Sequence, residues 1–169
     1  MALYGSPIWV DALTAQLKPF LRRPQRVIAV RAIRWHRTVS WTAATLLAGD
    51  PPWEHRAEVL AEVHRYRITM RSKGESPDAE ETRRIRAADR VALFRRWAED
   101  LESPITGSVT VEAIRPYLVR WVNRRHGTLS FRLVQVLTGH GCFGEYLHRV
   151  AGREATPVCD ECGAPVDTA

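Results

Sequence analysis

Apolar residues along this chain recur three and four positions apart and are cut into segments by Pro, Gly and Ser. No stretch alternates apolar and polar residues long enough for a half-buried strand, so the pattern predicts an all-α protein. Trp9, Leu13 and Leu17, four apart within Met1 to Phe20, would share one helical face. Pro24 fits the first turn of a second helix, with Ile28, Ala32 and Trp35 on its apolar side and Arg26, Arg34 and Arg37 on another. Ser40 is placed to cap a short apolar helix from Trp41 to Ala48, which Gly49 would end in the left-handed conformation.

Asp50-Pro51-Pro52 predicts the start of a longer helix running to about Ser72, with Gly74 beyond its end. Ser76-Pro77-Asp78 repeats the device, and Asp78, Glu80 and Glu81 suit the positive end of the next helix dipole. That helix would carry Ile85, Ala88, Ala92, Leu93, Trp97 and Leu101 into a core and turn Arg83, Arg84, Arg86, Arg90, Arg95 and Arg96 outward. Ser103-Pro104 and Thr106-Gly107-Ser108 mark a subdomain boundary. After it, Ile114, Leu118 and Trp121 form a helical stripe that should begin near Pro116. Asn123 to Gly127 reads as a basic turn, Ser130 as the cap of a helix through Leu137, and Gly144 to Val150 as a last short helix. The six tryptophans keep helical spacing with aliphatic residues, which assigns them to the core before any base-stacking role.

Charge sharpens this picture. The 169 residues carry a formal charge of +6 and a pI of about 9.8, and only Lys18 and Lys73 among the 25 basic residues are lysines. An arginine-rich basic surface favours nucleic acid, because the planar guanidinium fork matches phosphate oxygens. The alternative is a set of solvated faces balanced by Glu80, Glu81, Glu99 and Asp100, which would contribute little. No apolar run approaches the roughly 20 residues that cross a bilayer; even Val27 to Ile33 is interrupted by Arg31. Three cysteines, two of them in one Cys159-x2-Cys162 turn, make no disulfide framework, and the expected setting is reducing and intracellular.

The same turn predicts a zinc knuckle, yet it supplies two ligands where a tetrahedral site takes four. Cys159 and Cys162 therefore form an incomplete site, as though the chain were a segment of a longer polypeptide, unless His140, Cys142 or His148 completes it. Outside a metal site, His140 and His148 would satisfy backbone carbonyls at helix ends or touch phosphate, and Cys142 would be a small buried apolar residue. A thiol enzyme built on Cys142 with His140 or His148 lacks any evident third group to orient the base.

Several short motifs occur in a recognisable order. Ala2-Leu-Tyr-Gly-Ser-Pro-Ile-Trp9, Arg23-Pro-Gln25-Arg26, Arg37-Thr38-Val-Ser40 and Ala48-Gly49-Asp50-Pro51-Pro52 resemble the region after the polymerase palm in reverse transcriptases of non-LTR retrotransposons. Leu137-Thr138-Gly139-His140-Gly141-Cys142-Phe143, Tyr146-Leu147-His148-Arg149 and Cys159-x2-Cys162 resemble the C-terminal part of the same polyproteins, especially the arthropod elements that insert into ribosomal RNA genes.

The resemblance implies a thumb-like helical region over 1–103, a helical connector over 104–152 and a truncated Cys-Cys-His-Cys zinc knuckle over 153–169. It implies template-primer RNA or DNA as partner, together with upstream polymerase and endonuclease domains, and a nuclear location. Magnesium would belong to the palm, and this chain has no Tyr-x-Asp-Asp aspartate pair, so it should bind nucleic acid without polymerising it. Arg23, Arg26, Arg34, Arg37, Arg83, Arg90, Arg124 and Arg125 are the expected phosphate contacts. The other open expectation is a helical protein-interaction module, or an inert remnant, derived from such an element.

Overall fold

A computed structural model describes residues 3–34, 37–125, 128–141 and 143–168, and among them there are helices and no strand. Trp35, His126, Gly127 and Cys142, together with Ala2 of the opening motif, lie outside the described residues. The first expectation fails at Leu13. Helix α1 covers only Ser6–Trp9 and passes through a 3-10 turn at Val10–Ala12. Leu13 then turns extended at φ −76° and ψ 95°, so Trp9, Leu13 and Leu17 never share a face.

Helix α2 spans Lys18–Ala32 and takes Pro19, not Pro24, in its first turn; Pro24 sits inside the helix. The buried side is Gln25, Ala29, Val30 and Ile33, whereas Ile28 and Ala32 face outward. A polar residue sets that phase. Gln25 is fully buried, and its amide donates to Asp50 Oδ2 and Pro51 O, both at 2.9 Å. Its carbonyl oxygen accepts from Trp41 Nε1 at 3.2 Å and from the Trp53 amide at 3.3 Å. Four bonds to four residues satisfy a side chain that burial alone would penalise.

The next three elements follow their local signals. Ser40 Oγ accepts from the Ala43 amide at 3.2 Å and starts α3, Trp41–Ala48, which ends at Gly49 with φ 66°. Helix α4, Trp53–Ser72, is capped by Pro52 instead of Asp50, whose carboxylate is taken up by Gln25 and by Arg56 Nη1 at 2.9 Å. Asp78 Oδ2 accepts from the Glu81 amide at 2.9 Å at the head of α5, Ala79–Asp100, and backbone amides there hold its carboxyl below the ordinary aspartate range. Contacts from His55 to Asp100 and from Tyr66 to Asp78 make α4 and α5 an antiparallel pair.

The chain continues as α6, Ser108–Ile114, a 3-10 turn at Arg115–Tyr117, and α7, Leu118–Val122. A helix thus precedes Pro116 as well as following it, and the proline occupies the tight turn between the two, where its missing N–H is least costly. Gly107, at φ 79°, opens α6 against α3: a Cβ there would stand 2.9 Å from Ser40 Oγ. Ser130 Oγ accepts from the Leu133 amide at 3.2 Å to begin α8, Phe131–Thr138, and α9 covers Gly144–Arg149.

One apolar core draws on both sides of Ser103-Pro104, joining Ile33, Leu46, Leu93 and Trp97 to Val111, Ile114, Leu118 and Val134. Trp97 is 2% exposed and stacks on Phe94 with ring centroids 6.4 Å apart. Ala88, placed in the core by its spacing, is exposed, and Ile85 is half-buried. The core residues contributed here, Leu93, Phe94, Trp97 and Leu101, all come from the C-terminal half of α5 and its end. Trp53 is buried with Trp97, while Trp9, Trp41 and Trp121 are half-buried. A smaller cluster of Val10, Ala57 and Ala61 holds the first turn against α4.

The tail folds back on α9. Asp167 Oδ2 accepts from the Gly144 amide at 2.8 Å, and Asp167 O accepts from the Glu145 amide at 3.0 Å, which satisfies two free donors at the helix start. Between these points the Cys159 amide donates to Ala164 O and the Gly163 amide to Cys159 O, each at 2.9 Å, closing a compact turn.

Candidate nucleic-acid interface

The arginines divide into those spent on the fold and those left to solvent. Arg26 Nε donates to Val39 O at 2.8 Å and its Nη2 bonds Arg37 O, so this side chain ties α2 to the strap that leads into α3. Arg124 lies over the Trp121 ring at 4.0 Å and donates to Trp121 O at 2.7 Å and Leu47 O at 3.0 Å. Desolvation lowers its pKa from the ordinary arginine value, as expected for a guanidinium turned inward to cap α3. Arg83 pairs with Glu80 at 2.6 Å, and Arg90 donates to Asn123 Oδ1 at 2.6 Å while lying 5.7 Å from the Phe94 ring. Arg23 is exposed against Phe20 at 5.7 Å.

Arg34, Arg37 and Arg125 are exposed, and their side chains make no hydrogen bond or ion pair with the described residues. Arg34 adopts φ 53°, a left-handed conformation rare for a side-chain-bearing residue. The predicted set is therefore dispersed. Arg34 and Arg37 flank the end of α2, Arg83 and Arg90 lie along α5, and Arg125 follows α7.

The two sides of the α4–α5 pair differ in charge. On one side, a cavity of about 380 Å³ gathers Asp11, Glu58, Glu62 and Asp89 with Arg65 and Arg96. Arg96 bonds Glu58, Arg65 bonds Glu62 and Asp11, and the cluster is largely self-neutralised. On the other side, a cleft of about 410 Å³ has a floor of Val59, Leu60, Val63, Leu93 and Phe94 beneath Arg56, Arg86 and Arg90, and among the described residues no carboxylate lines it. Arg86 has no partner among the described residues. This second side is the one suited to phosphate. Arg86 lies on the arginine face that the sequence marks, and its lack of a partner is a tertiary fact.

Asp89 gives the acidic cavity a measurable signature. Its Oδ2 is buried without a partner among the described residues. Burial raises its pKa above the ordinary aspartate value, the Glu62 charge adds to this, and Arg96 and Arg65 oppose it. A carboxyl whose folded pKa lies above its unfolded one is a net cost once ionised, so the penalty builds as pH rises from the ordinary value towards the raised one and is complete above it. Asp89→Asn is expected to stabilise the fold at neutral pH, with the gain vanishing below the ordinary aspartate range. Urea midpoints at several pH values test this; a variant less stable than the parent at pH 7 would contradict it.

The cysteine turn brings Cys159 and Cys162 together, both as free thiols. His140 Nδ1 donates to Thr138 O, at the end of α8, at 2.7 Å, the helix-end role expected of it, whereas His148 Nδ1 donates to Glu154 O in the loop beyond α9 at 3.0 Å. Among the described residues no group of three His, Cys, Asp or Glu side chains is placed to hold a metal ion, so neither histidine joins the cysteine pair. The donor set fits half a tetrahedral zinc site.

The chain is 31% identical over 180 aligned residues, 98% of its length, to a 115 kDa protein in the type-1 retrotransposable element R1DM of Drosophila melanogaster. It is 30% identical, over 96% of its length, to a retrovirus-related Pol polyprotein from the type-1 element R1 of Bradysia coprophila. This chain is homologous to a segment of R1 retrotransposon polyproteins. A Pol polyprotein of an R1 element of Nasonia vitripennis aligns at 27% identity. The chain spans 17% and 16% of the length of the first two R1 relatives and 42% of the third. No protein-family model matches it, and no solved structure does.

Proposed function

We propose that this chain is the helical post-palm part of an R1 reverse transcriptase polyprotein and grips template-primer nucleic acid by its backbone without adding nucleotides itself. The observation that carries this is the basic side of the α4–α5 pair, where Arg86 has no partner among the described residues while Arg56 pairs with Asp50 and Arg90 with Asn123. Arg56, Arg86 and Arg90 ring a cleft that no carboxylate among the described residues lines, in a chain aligned along nearly all its length with R1 polyproteins. A thumb needs cationic helix faces and no base reading, since phosphate contacts position a duplex and carry no sequence information. Arg34, Arg37 and Arg125 extend the contact set. Arg26 and Arg124 support it indirectly, by fixing the strap before α3 and the end of α7.

In the same proposal Cys159 and Cys162 are two ligands of a zinc knuckle whose other ligands are not among the described residues. Magnesium belongs to a palm that these residues do not contain, and the place of action is the nucleus.

The test is fluorescence anisotropy with a labelled RNA–DNA duplex at several salt concentrations. Binding should weaken on the order of 100-fold between roughly 50 and 200 mM salt, and Arg86→Ala with Arg34→Ala and Arg37→Ala should flatten the log–log slope by about one per lost contact. A folded sample that ignores the duplex at low salt would refute the proposal. That result would favour a protein-interaction role, to which the outward Phe20, Val27 and Ile28 of α2 already lend a surface.

A further inference from the structure

The exposed apolar surface beside α7 is not explained by duplex binding. Val91 is 71% exposed, Tyr117 62% and Val119 51%, and together they border a groove of about 560 Å³ between α5 and the Arg115–Tyr117 turn. Arg95, Arg115 and Arg120 line it, and among the described residues no acidic side chain does, although Glu99 stands 3.8 Å from Arg95. A second concavity of about 350 Å³ adjoins it, lined by Trp121 and Arg124 and sharing Tyr117 and Arg120 with the first. An aromatic ring and a guanidinium thus stand on the ridge between two basic hollows. Arg115 is held by Ala98 O at 3.1 Å and Glu102 at 2.7 Å, and Arg124 by its carbonyls and the Trp121 ring. Arg120, exposed, has no side-chain partner among the described residues.

We infer that this double groove binds single-stranded nucleic acid, with an unpaired base stacked on Tyr117 and the adjoining phosphates on Arg120 and Arg95. This rests on the proposed nucleic-acid role and assigns a second, chemically different site within it. A duplex offers phosphates and base edges but keeps its base faces covered, so it cannot use an exposed ring on an apolar floor. An unpaired strand can, because every base has a face that stacks on an aromatic plane or a guanidinium. Glu99 and Glu102, the carboxylates beside the groove, are paired with Arg95 and Arg115, which limits the repulsion that a phosphate chain would meet and leaves Arg120 as the groove's unpaired cation among the described residues. Aliphatic Val91 and Val119 supply contact without base preference, so the site should tolerate any sequence.

The experiment compares two probes on the full chain: a blunt RNA–DNA duplex, and the same duplex carrying a single-stranded extension of about ten nucleotides. The extension should tighten binding, and Tyr117→Ala should abolish that gain, about tenfold, while leaving blunt-duplex affinity unchanged. Tyr117→Phe should keep the gain, since the ring and not the hydroxyl stacks, and Arg120→Gln should reduce it in a salt-dependent way. Equal affinity of the parent for both probes, or equal loss on both in Tyr117→Ala, overturns the inference while leaving duplex gripping intact. Binding to neither probe overturns the wider proposal and this site with it.

Discussion

Trp97→Ala is expected to cost about 4 kcal/mol of folding free energy, the largest loss from any single truncation in this chain. The indole is 2% exposed and lies where α5 meets the core, stacked on Phe94. Alanine would remove the burial of its apolar area and leave a void that Leu93, Leu101 and Ile114 cannot fill without moving whole helices. Since a domain's stability is typically about 5–15 kcal/mol, such a loss leaves a large unfolded fraction under mild denaturant. Urea unfolding followed by far-ultraviolet circular dichroism measures it, with the slope unchanged and the midpoint lowered. A loss below about 1 kcal/mol would mean that Trp97 is not the centre of the core.

The second large effect is electrostatic. Glu54 is 1% exposed, and Arg22 holds its Oε1 through Nε at 2.8 Å and Nη2 at 2.7 Å while stacking on Trp41 at 4.3 Å. The other oxygen, Oε2, is buried with no partner among the described residues. Arg22→Ala would strand a buried carboxylate, and the expected cost is about 3 kcal/mol, at the low end for buried pairs because the arginine side chain is 36% exposed. Converting both members, Arg22→Leu with Glu54→Leu, should recover most of that loss, because the penalty belongs to the orphaned charge and not to the missing attraction. Thermal unfolding of the single and double variants decides the matter. A double variant as unstable as the single would locate the effect in Arg22 packing on Trp41.

Much of this architecture was legible because helix ends are governed by neighbours. Ser40, Asp78 and Ser130 each bond an amide three residues on, Gly49 takes the conformation its place demands, and the Leu93, Trp97 and Leu101 spacing names the core face of α5. What the sequence hid was set by distant partners. The phase of α2 depends on Gln25 reaching Asp50, Pro51 and Trp53, and no apolar periodicity can reveal a buried amide. Arg26 and Arg124 look like surface charge until Val39 O and Leu47 O, 13 and 77 positions away, claim them. Arg120 did carry a local sign, since no acidic residue lies within four positions of it. Pro116 marked a break in the helix but gave no hint that a helix precedes it.

The return of Asp167 to α9 makes the cysteine turn part of a closed ring that runs from Gly144 through the turn and back. The His140 ring, 4.8 Å from that of Tyr146, connects this ring to the end of α8. Thermodynamic reciprocity then applies: whatever binds Cys159 and Cys162 more tightly when the ring is closed favours its closure by the same factor by which closure raises its own affinity. For such a ligand, occupancy at the cysteines and order at the start of α9 would form one coupled equilibrium, joined through the two bonds at Asp167.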